Sequence, residues 1–254
     1  SDCGFDRGAP QFKSICQIRL EGKMNDIVYI LRSGKNEELR YSLRSVEENF
    51  PYKEVWFYGG KPDGIRPDHF IGFIQDGSTK WKKVRNSIER VCQNDDITED
   101  FWLFNDDFFI MKPIKNPVNY YDGTLRDRIE KIEKVTFGVA SQYSLQLRHL
   151  LKTLENAGIS EPLNYAHHTP MLINRKKMLE VLERFPNEPM FRALYGNVCE
   201  IGGVNMPDVK FYQKRQPWPI GEYVSTADES WNGEKIGFVI REQFKKPSRF
   251  ENGR

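Results

Sequence analysis

The chain has 254 residues, of which 39% are hydrophobic, 29% charged and 13% aromatic, with a formal net charge of +2. This composition is typical of a globular protein, and the length suits one large domain or two small ones. So small a charge does not by itself indicate nucleic-acid binding. No apolar stretch approaches the roughly 18–20 residues that span a membrane, and the first residues lack a signal-peptide pattern. We therefore expect a cytoplasmic protein with no membrane span.

The first half of the chain alternates predicted strands and helices, after a poorly patterned segment, residues 1–23, that we treat as an extension of unclear role. Apolar runs predict strands and amphipathic spacing predicts helices. The predicted elements are a strand at 27–31, a helix at 36–49, a strand at 54–58, a strand at 70–74, a helix at 81–91 and a strand at 101–104. This alternation predicts an α/β fold, with a Rossmann-type, mostly parallel sheet and helices on both faces.

The second half is less regular. Leucines at helical spacing predict a helix over 143–156, and a second helix is predicted over 175–185. The tract 200–235 is rich in Gly, Pro and polar residues, which favours long loops around a site. Residues 209–212 and 236–240 are candidate late strands. The four cysteines, Cys3, Cys16, Cys92 and Cys199, form no CxxC pair, so neither a zinc site nor a disulfide framework is predicted.

A polar triplet, Asn105, Asp106 and Asp107, lies between two apolar runs. Burying unpaired carboxylates is costly, so the triplet needs a cation or many hydrogen bonds. Ligands of open α/β sheets bind at the carboxyl ends of strands, and oxygen donors of this kind suit Mg²⁺, Mn²⁺ or Ca²⁺. If the strand continues, Asn105 and Asp107 share one face and Asp106 points away. The alternative is a solvated polar turn between two strands.

Two sets of segments carry a resemblance to a known family. The first set is Asn36–Glu47, Asn86–Glu89, Phe104–Asp107 and Lys112-Pro113, and the second set is Asp26–Tyr29, His168–Pro170, Phe185-Pro186 and Phe191-Arg192. The first set resembles the central block of the Stealth family, and the second resembles its opening strand motif and its third block. Members of this family are sugar-phosphate transferases of capsular polysaccharide synthesis, and their relatives include the animal lysosomal-enzyme N-acetylglucosamine-phosphotransferase. The resemblance spans roughly residues 26–192 and is carried mainly by the twelve-residue run at its start.

The resemblance implies a GT-A-like fold in which residues 24–254 form one transferase domain. Residues 24–115 would be the nucleotide-sugar half, and residues 116–254 the acceptor and catalytic half with its loop-rich acceptor side. It further implies a nucleotide-sugar donor, most simply a UDP-sugar, a Mg²⁺ or Mn²⁺ ion, and a hydroxyl acceptor on a glycan or related molecule. The chain departs from the family at Ile30–Arg32 and lacks a clear fourth block. Transfer of a sugar and transfer of a sugar phosphate therefore both stay open.

The resemblance also implies roles for individual residues. The metal ligands would be Asn105, Asp106 and Asp107, with Asp107 also counted as catalytic because the metal would bridge the donor pyrophosphate. His168 would act in acid/base chemistry or as a further ligand, since histidine titrates near neutral pH. Arg192 would grip a phosphate through its guanidinium. The alternatives are a structural histidine beside Pro170 and an arginine on a helix surface.

Further donor-site candidates are basic and polar residues near the predicted helices. They are Asp26, Arg32, Arg40, Lys83, Arg85 and Asn86. In the loop-rich tract, Asp228 or Glu229 would serve as the base for the acceptor hydroxyl, beside a Trp231 that stacks on a sugar ring. The alternative there is a turn with a half-buried tryptophan.

A second hypothesis is a non-catalytic module that binds a glycan or nucleic acid. Basic stretches at Lys210–Arg215 and Lys245–Arg249, interleaved with aromatic residues, favour nucleic acid. A modified base of DNA is then also conceivable as an acceptor for a glycosyltransferase. Steeply salt-dependent DNA binding would support this hypothesis.

Overall fold

A computed structural model describes residues 24–137, 139, 141–212, 220–233 and 235–251. Its strands are β1 (Asp26–Leu31), β2 (Val55–Gly59), β3 (His69–Gly72), β4 (Asp100–Phe104), β5 (Phe108–Ile110), β6 (Tyr120–Tyr121), β7 (Met171–Asn174), β8 (Val204–Asn205), β9 (Lys210–Phe211) and β10 (Tyr223–Thr226). Its helices are α1 (Glu37–Asn49), α2 (Lys80–Cys92), α3 (Leu125–Val135), α4 (Gln142–Asn156), α5 (Arg175–Arg184), α6 (Phe191–Val198), α7 (Asp228–Trp231) and α8 (Ile236–Gln243).

The central sheet has five strands in the order β3-β2-β1-β4-β7. The first four are parallel, and β7 pairs with β4 in the antiparallel direction. The crossovers through α1 and α2 are what parallel neighbours require, because parallel strands cannot be joined by a tight turn. The predicted α/β class with a mostly parallel sheet is therefore confirmed.

Helices cover both faces of this sheet. Alternate side chains of β1 point to opposite faces: Ile27 and Tyr29 pack with Leu43 of α1, whereas Val28 packs with Ile88 of α2 on the other face. The second face also receives apolar residues of α4, α5 and α6, so the core there draws on both halves of the chain. The predicted division at residue 115 stays a prediction.

The helices α1 and α2 both begin at side-chain caps. Asn36 accepts a hydrogen bond from the backbone of Leu39 at the start of α1, and Thr79 accepts one from Lys82 at the start of α2. Such caps satisfy amide groups that have no partner within the helix. Pro51 lies just beyond α1, which ends at Asn49. The caps therefore determine where both helices meet the edge of the sheet.

A second sheet of three strands lies beside the central one, in the order β5-β10-β9. β5 follows β4 after only three residues, so the polar triplet is the connection between the two sheets. β10 pairs antiparallel with β5 and parallel with β9. This arrangement brings residues near 210 and 225 next to the triplet.

Most of the predicted elements are found within a few residues of their expected bounds, but one is wrong. Residues 236–240 were expected to form a strand, whereas they lie in helix α8. Ile236, Ile240 and Phe244 are all buried at a spacing of four residues, which is helical periodicity. The extension at 1–23 lies outside the described residues. Within the described ranges, no helix has the length and apolarity needed to cross a membrane.

Phe250, near the C-terminal end of the described residues, packs against the face of the central sheet that α1 covers. Its ring is 1% exposed within the cluster that contains Leu43 and Ile65, and its carbonyl accepts a hydrogen bond from the backbone of Arg66 at 2.7 Å. Phe250→Ala should therefore reduce the free energy of unfolding by about 3–5 kcal/mol. Urea denaturation measures this loss. Phe238→Ala, at a ring that is 58% exposed, is the matched control, and equal losses in the two variants would contradict the assignment.

Candidate active site

The candidate site lies at one edge of the central sheet. The carboxyl ends of the parallel strands β1 and β4 meet there, with Tyr29 in register with Phe104. Because β7 is antiparallel to β4, with Met171 opposite Leu103, the amino end of β7 lies at the same edge. The segment 167–170, which leads into β7, is thereby carried to the acidic triplet. This is the edge at which open α/β sheets bind ligands.

The triplet forms a turn. β4 ends at Phe104, and the backbone amide of Phe108 donates to the carbonyl of Asn105 at 3.2 Å. The alternation expected for a continuing strand therefore does not apply, because the strand ends before the triplet begins. The Asn105 side chain is exposed, Asp106 is half-buried and Asp107 is buried. A turn allows all three side chains to face one site, which a strand would not.

Asp106 is held by the start of α1. The amide nitrogen of Asn36, the cap of that helix, donates to Oδ2 of Asp106 at 2.7 Å. Burial and the neighbouring charge of Asp107 raise the pKa of Asp106, against the hydrogen bond from Asn36 and the charge of Arg32. Arg32, one of the predicted donor-site residues, is exposed just beyond β1. It is thus close enough to Asp106 to act on its charge.

Asp107 is held by the second sheet. Its Oδ2 accepts hydrogen bonds from Nζ of Lys210 at 2.9 Å and from Oγ of Ser225 at 2.8 Å. Its carbonyl accepts from the backbone of Thr226 at 3.3 Å. β9 and β10 thus supply both side-chain partners of this carboxylate.

His168 forms a dyad with Asp208, a residue that was not singled out from the sequence. Nδ1 of His168 lies 2.8 Å from Oδ2 of Asp208, and the backbone amide of His168 donates to Oδ1 at 3.1 Å. Burial by itself raises the pKa of Asp208, but the hydrogen bonds from His168 and the charges of both neighbouring histidines outweigh it and hold the pKa at about 2. The ionised carboxylate only accepts, so Nδ1 carries the proton and Nε2 is the free acceptor of the neutral ring.

The neighbouring His167 is structural. It is 2% exposed, and its two ring nitrogens lie within hydrogen-bond distance of the hydroxyl of Thr169 and the carbonyls of Met206 and Pro207. Burial lowers the pKa of His167, which favours the neutral ring. Among the described residues, both ring nitrogens of His167 have hydrogen-bond partners, whereas Nε2 of His168 has none.

The guanidinium of Arg192 lies at the same edge of the sheet, and some of its hydrogen-bond donors have no partner among the described residues. It lies in the first turn of α6, where Nη2 donates to the carbonyls of His167 at 3.0 Å and Thr169 at 2.7 Å. Nε and Nη1 are buried and have no hydrogen-bond partner among the described residues. Burial lowers the pKa of Arg192 to about 10, although the charges of Asp208 and Asp107 oppose the shift. Buried donors without partners are uncommon, and an anionic ligand is one way to satisfy them.

Two adjoining cavities form the cleft, and Asn105, Arg192, Lys80 and Trp81 line both. The apolar lobe, of about 260 Å³, is completed chiefly by Ile30, Val84, Leu103, Phe104, Met190 and Phe191. The polar lobe, of about 360 Å³, is completed chiefly by Arg128, Tyr143, His167, His168, Lys210 and Tyr212. Of the triplet, only Asn105 lines the two lobes, whereas Asp107 is paired with Lys210 of the polar lobe and is close enough to Arg192 to act on its pKa. The acidic turn therefore adjoins a cleft that holds several cations.

Glu38 of α1 adds a third acid beside Asp106 and Asp107. It accepts a hydrogen bond from the hydroxyl of Thr226. Burial, together with the charges of Asp107, Asp106 and Asp228, raises the pKa of Glu38 to about 7, even though the hydrogen bond from Thr226 lowers it. Glu38, Asp106 and Asp107 therefore repel one another when all three are ionised.

This raised pKa predicts a pH dependence of stability. Between its ordinary value of 4.5 and about 7, Glu38 binds more proton in the folded than in the unfolded chain, so its contribution to the free energy of unfolding is lost as pH rises through that interval. Glu38→Gln should match wild type near pH 4.5 and be more stable than wild type at pH 8. Urea denaturation at both pH values measures this. Glu48→Gln, at an exposed position on the same helix, should show no such trend, and a pH-independent effect of Glu38→Gln would contradict the assignment.

None of the six predicted donor-site residues lines either lobe of the cleft, and of the six only Arg32 acts on the charge of Asp106. Asp26 lies at the amino end of β1, where it accepts from the backbone of Thr98 at 2.9 Å. Arg40 pairs with Glu251 at 2.8 Å on the outer side of α1. The other three, Lys83, Arg85 and Asn86, lie on α2 outside both lobes, where Arg85 donates to the carbonyl of Leu182 and Asn86 to that of Asp76.

Asp228 and Glu229 are exposed in the first turn of α7 and line neither lobe, although Asp228 is close enough to Glu38 to raise its pKa. Trp231 is 4% exposed and stacks on Phe109 with an interplanar angle of 3°. Its indole nitrogen donates to Glu37 at 3.1 Å. The ring is part of the core, so it is not a platform for a sugar.

The cleft contains residues that were not assigned to it from the sequence. They are Lys80, Trp81, Arg128, Asp208, Lys210 and Tyr212. The sequence contained a signal for two of these residues. Asp208 and Lys210 are two residues apart at the start of a predicted strand, so their side chains are expected on the same face. Among the described residues, no group of three or more His, Cys, Asp or Glu side chains is placed to hold a metal ion. The triplet offers two carboxylates and an amide.

The basic stretches behind the nucleic-acid hypothesis are largely occupied internally. Lys210 pairs with Asp107, and both terminal nitrogens of Arg249 bind Asp68, at 2.6 and 2.7 Å. Lys245 pairs with Glu242 at 2.7 Å. Residues 213–215 of the first stretch lie outside the described residues. These ion pairs do not favour a nucleic-acid interface.

No family model matches the chain, and no curated protein matches its sequence. Its structure is similar to solved structures of glycosyltransferases. One is an active-site mutant of LgtC, with a TM-score of 0.45 and 12% identity over 89% of this chain and 98% of that chain. Another is the galactosyltransferase LgtC in complex with donor and acceptor sugar analogues, with a TM-score of 0.46 and 11% identity over 89% and 98%.

A third is the apo form of the glycosyltransferase GlyE of Streptococcus pneumoniae TIGR4, with a TM-score of 0.41 and 11% identity over 88% of this chain and 61% of that chain. Likenesses at this level of identity concern the fold alone.

Proposed function

We propose that this protein is a transferase that uses a nucleotide-sugar donor, most simply a UDP-sugar, and moves a sugar or sugar-1-phosphate to a hydroxyl of a glycan or related acceptor. One observation carries the proposal: the acidic turn at Asn105–Asp107 adjoins, through Asn105 and the Asp107–Lys210 ion pair, a cleft that holds the buried guanidinium of Arg192 with its two unsatisfied nitrogens. An acidic turn suits a divalent cation, and a buried guanidinium suits a phosphate. A nucleotide diphosphate bound with a cation needs both.

The oxygen donors of the triplet fit Mg²⁺ or Mn²⁺, since both ions prefer carboxylate and amide oxygens. The cluster of Glu38, Asp106 and Asp107, whose mutual repulsion contributes to the raised pKa values of Glu38 and Asp106, supports a cation at this place. Asp106 and Asp107 would hold it, with Asn105 as a further ligand. A bound ion would supply charge neutralisation for the donor pyrophosphate.

The cations of the cleft are suited to the phosphates. Arg192 presents its unsatisfied nitrogens, and Lys80 and Lys210 line the polar lobe beside it. The apolar lobe, with Trp81 at its mouth, offers contact surface for a nucleoside or a sugar face. Aromatic side chains commonly supply such surface in ligand pockets.

His168 is suited to accept the proton of the acceptor hydroxyl. Its Nε2 is the free acceptor of the neutral ring, and Asp208 stabilises the imidazolium that forms when that proton arrives. The hydroxyl oxygen then attacks either the anomeric carbon, releasing a nucleoside diphosphate, or the β-phosphorus, releasing a nucleoside monophosphate. The resemblance of His168 and Arg192 to a phosphotransferase block favours the second reaction.

Product identification tests the proposal. Incubation with UDP-sugars, a panel of glycan acceptors and Mn²⁺ should release UMP if a sugar phosphate moves and UDP if a sugar moves. Asp107→Asn, which removes the charge but keeps the size of the side chain, should abolish release of either product. Release of neither product by the wild-type protein across a wide panel would contradict an enzymatic function.

A further inference from the structure

Lys210 places an ammonium on one of the proposed metal ligands. Its Nζ lies 2.9 Å from Oδ2 of Asp107, and the same oxygen accepts from Ser225 at 2.8 Å. Lys210 is in register with Ser225, so the pairing of β9 with β10 holds the lysine at this position. The side chains of Lys210 and Asp107 are only 18% and 13% exposed. Asp107 is therefore already paired with a cation, the ammonium of Lys210.

A divalent ion at the triplet has to share Asp107 with this ammonium. Two positive charges beside one carboxylate repel each other, and in a partly buried site water screens the repulsion weakly. The same oxygen of Asp107 already carries two hydrogen bonds, which leaves it fewer free lone pairs for a metal. Lys210 and the metal are thus competitors for Asp107.

Lys210 also has a second anion within reach when the cleft is filled. It lines the polar lobe together with Arg192 and Lys80. A lysine ammonium is a point charge on a flexible stem, so it exchanges one anionic partner for another without demanding a fixed geometry. A phosphate in the polar lobe offers that alternative partner.

We propose that Lys210 is a switching counter-ion: it neutralises Asp107 and weakens metal binding while the cleft is empty, and it turns to the phosphate of an incoming nucleotide, which releases Asp107 to the metal. The identity of the nucleotide rests on the proposed function, whereas the competition for Asp107 does not. Metal and nucleotide then bind cooperatively, and each raises the affinity of the other by the same factor.

Direct binding of Mn²⁺, measured by isothermal titration calorimetry and by the electron paramagnetic resonance signal of the free ion, tests the proposal without any turnover. In the absence of nucleotide, Lys210→Met should bind Mn²⁺ about tenfold more tightly than wild type, a change of about 1.4 kcal/mol. Lys210→Arg, which keeps the charge, should retain the weak wild-type affinity. Lys53→Met is the matched control, because Lys53 also forms an ion pair, with Glu54 at 3.8 Å, at the opposite edge of the sheet.

Addition of UDP provides the second measurement. UDP should raise the Mn²⁺ affinity of wild type clearly more than that of Lys210→Met, because the variant has no lysine to displace. Lys210→Gln, which keeps a hydrogen-bond donor to Asp107 without the charge, replaces Lys210→Met if that variant fails to fold. An unchanged or weaker Mn²⁺ affinity in the uncharged variants would overturn the proposal.

The two proposals fail separately. Tighter Mn²⁺ binding in Lys210→Met without release of UMP or UDP from any donor would support the switch and contradict the proposed function. Turnover of a UDP-sugar together with identical Mn²⁺ affinities in wild type and Lys210→Met would support the proposed function and contradict the switch.

Discussion

Arg192→Met should lower kcat/KM for the nucleotide-sugar donor by about 10²–10³-fold, the loss expected when a charge-stabilising donor is removed from an active site. The buried Nε and Nη1 of Arg192 have no partner among the described residues, so their hydrogen-bonding capacity is free for the donor. Stability should change by less than about 2 kcal/mol, because relief of charge burial offsets the lost hydrogen bonds to His167 and Thr169. Steady-state kinetics and urea denaturation measure the two effects.

Two further variants sharpen this prediction. Arg192→Lys keeps the charge but cannot bind both carbonyls and a phosphate, so its activity should lie between wild type and Arg192→Met. Arg184→Met, at an exposed arginine of α5 outside the cleft, is the matched control. Retention of wild-type kcat/KM in Arg192→Met would remove this guanidinium from the site.

His168→Ala should lower kcat by about 10²–10⁴-fold, the usual contribution of a positioned general base. Asp208→Asn should lower it by about 10–100-fold, as expected for a residue that orients another catalytic group. Since Asp208 orients the imidazole through Nδ1, the loss in Asp208→Asn should fall on kcat and leave the KM for the donor close to wild type. A purely structural role of Asp208 would instead lower the free energy of unfolding.

The double variant separates a dyad from two independent residues. If Asp208 acts only through His168, Asp208→Asn should add little to the effect of His168→Ala, because groups that act as a unit are strongly non-additive. Additive losses would show that Asp208 has a role of its own. His167→Gln is a useful contrast, since His167 is buried and its replacement should affect stability more than kcat.

Local signals account for the elements that were predicted well. The apolar runs of β1, β2 and β4 and the capped, amphipathic α1 and α2 carry their periodicity within the segment itself. β7 and α6 were missed for physical reasons: β7 has four residues, and α6 begins without a side-chain cap. Short elements of this kind are stabilised by packing more than by their own sequence. The strand expected over 236–240 failed because a short apolar run does not by itself distinguish strand from helix.

The residues of the candidate site likewise fall into those that the sequence indicated and those that only the fold reveals. The triplet, His168 and Arg192 were recognisable from their residue types and from the resemblance to a family. The direction of β7, which carries His168 to the triplet, and the pairing of Lys210 with Asp107 were not, because both depend on contacts between distant parts of the chain. Asp26 and Arg40 were grouped with the donor site by motif, but the structure buries Asp26 at the amino end of β1 and pairs Arg40 with Glu251.

Residues close together along the chain already predict the α/β class, the first two crossovers and the costly acidic interruption after β4, because burial and periodicity act over a few neighbouring residues. The charges that face each other in the cleft depend instead on how distant segments pack. Electrostatic pairing depends on distance in space, and the partners of Asp107 come from residues 210 and 225. The sequence alone therefore identifies three adjacent polar residues that suit a cation. The fold adds that one of their carboxylates, that of Asp107, is already paired with Lys210.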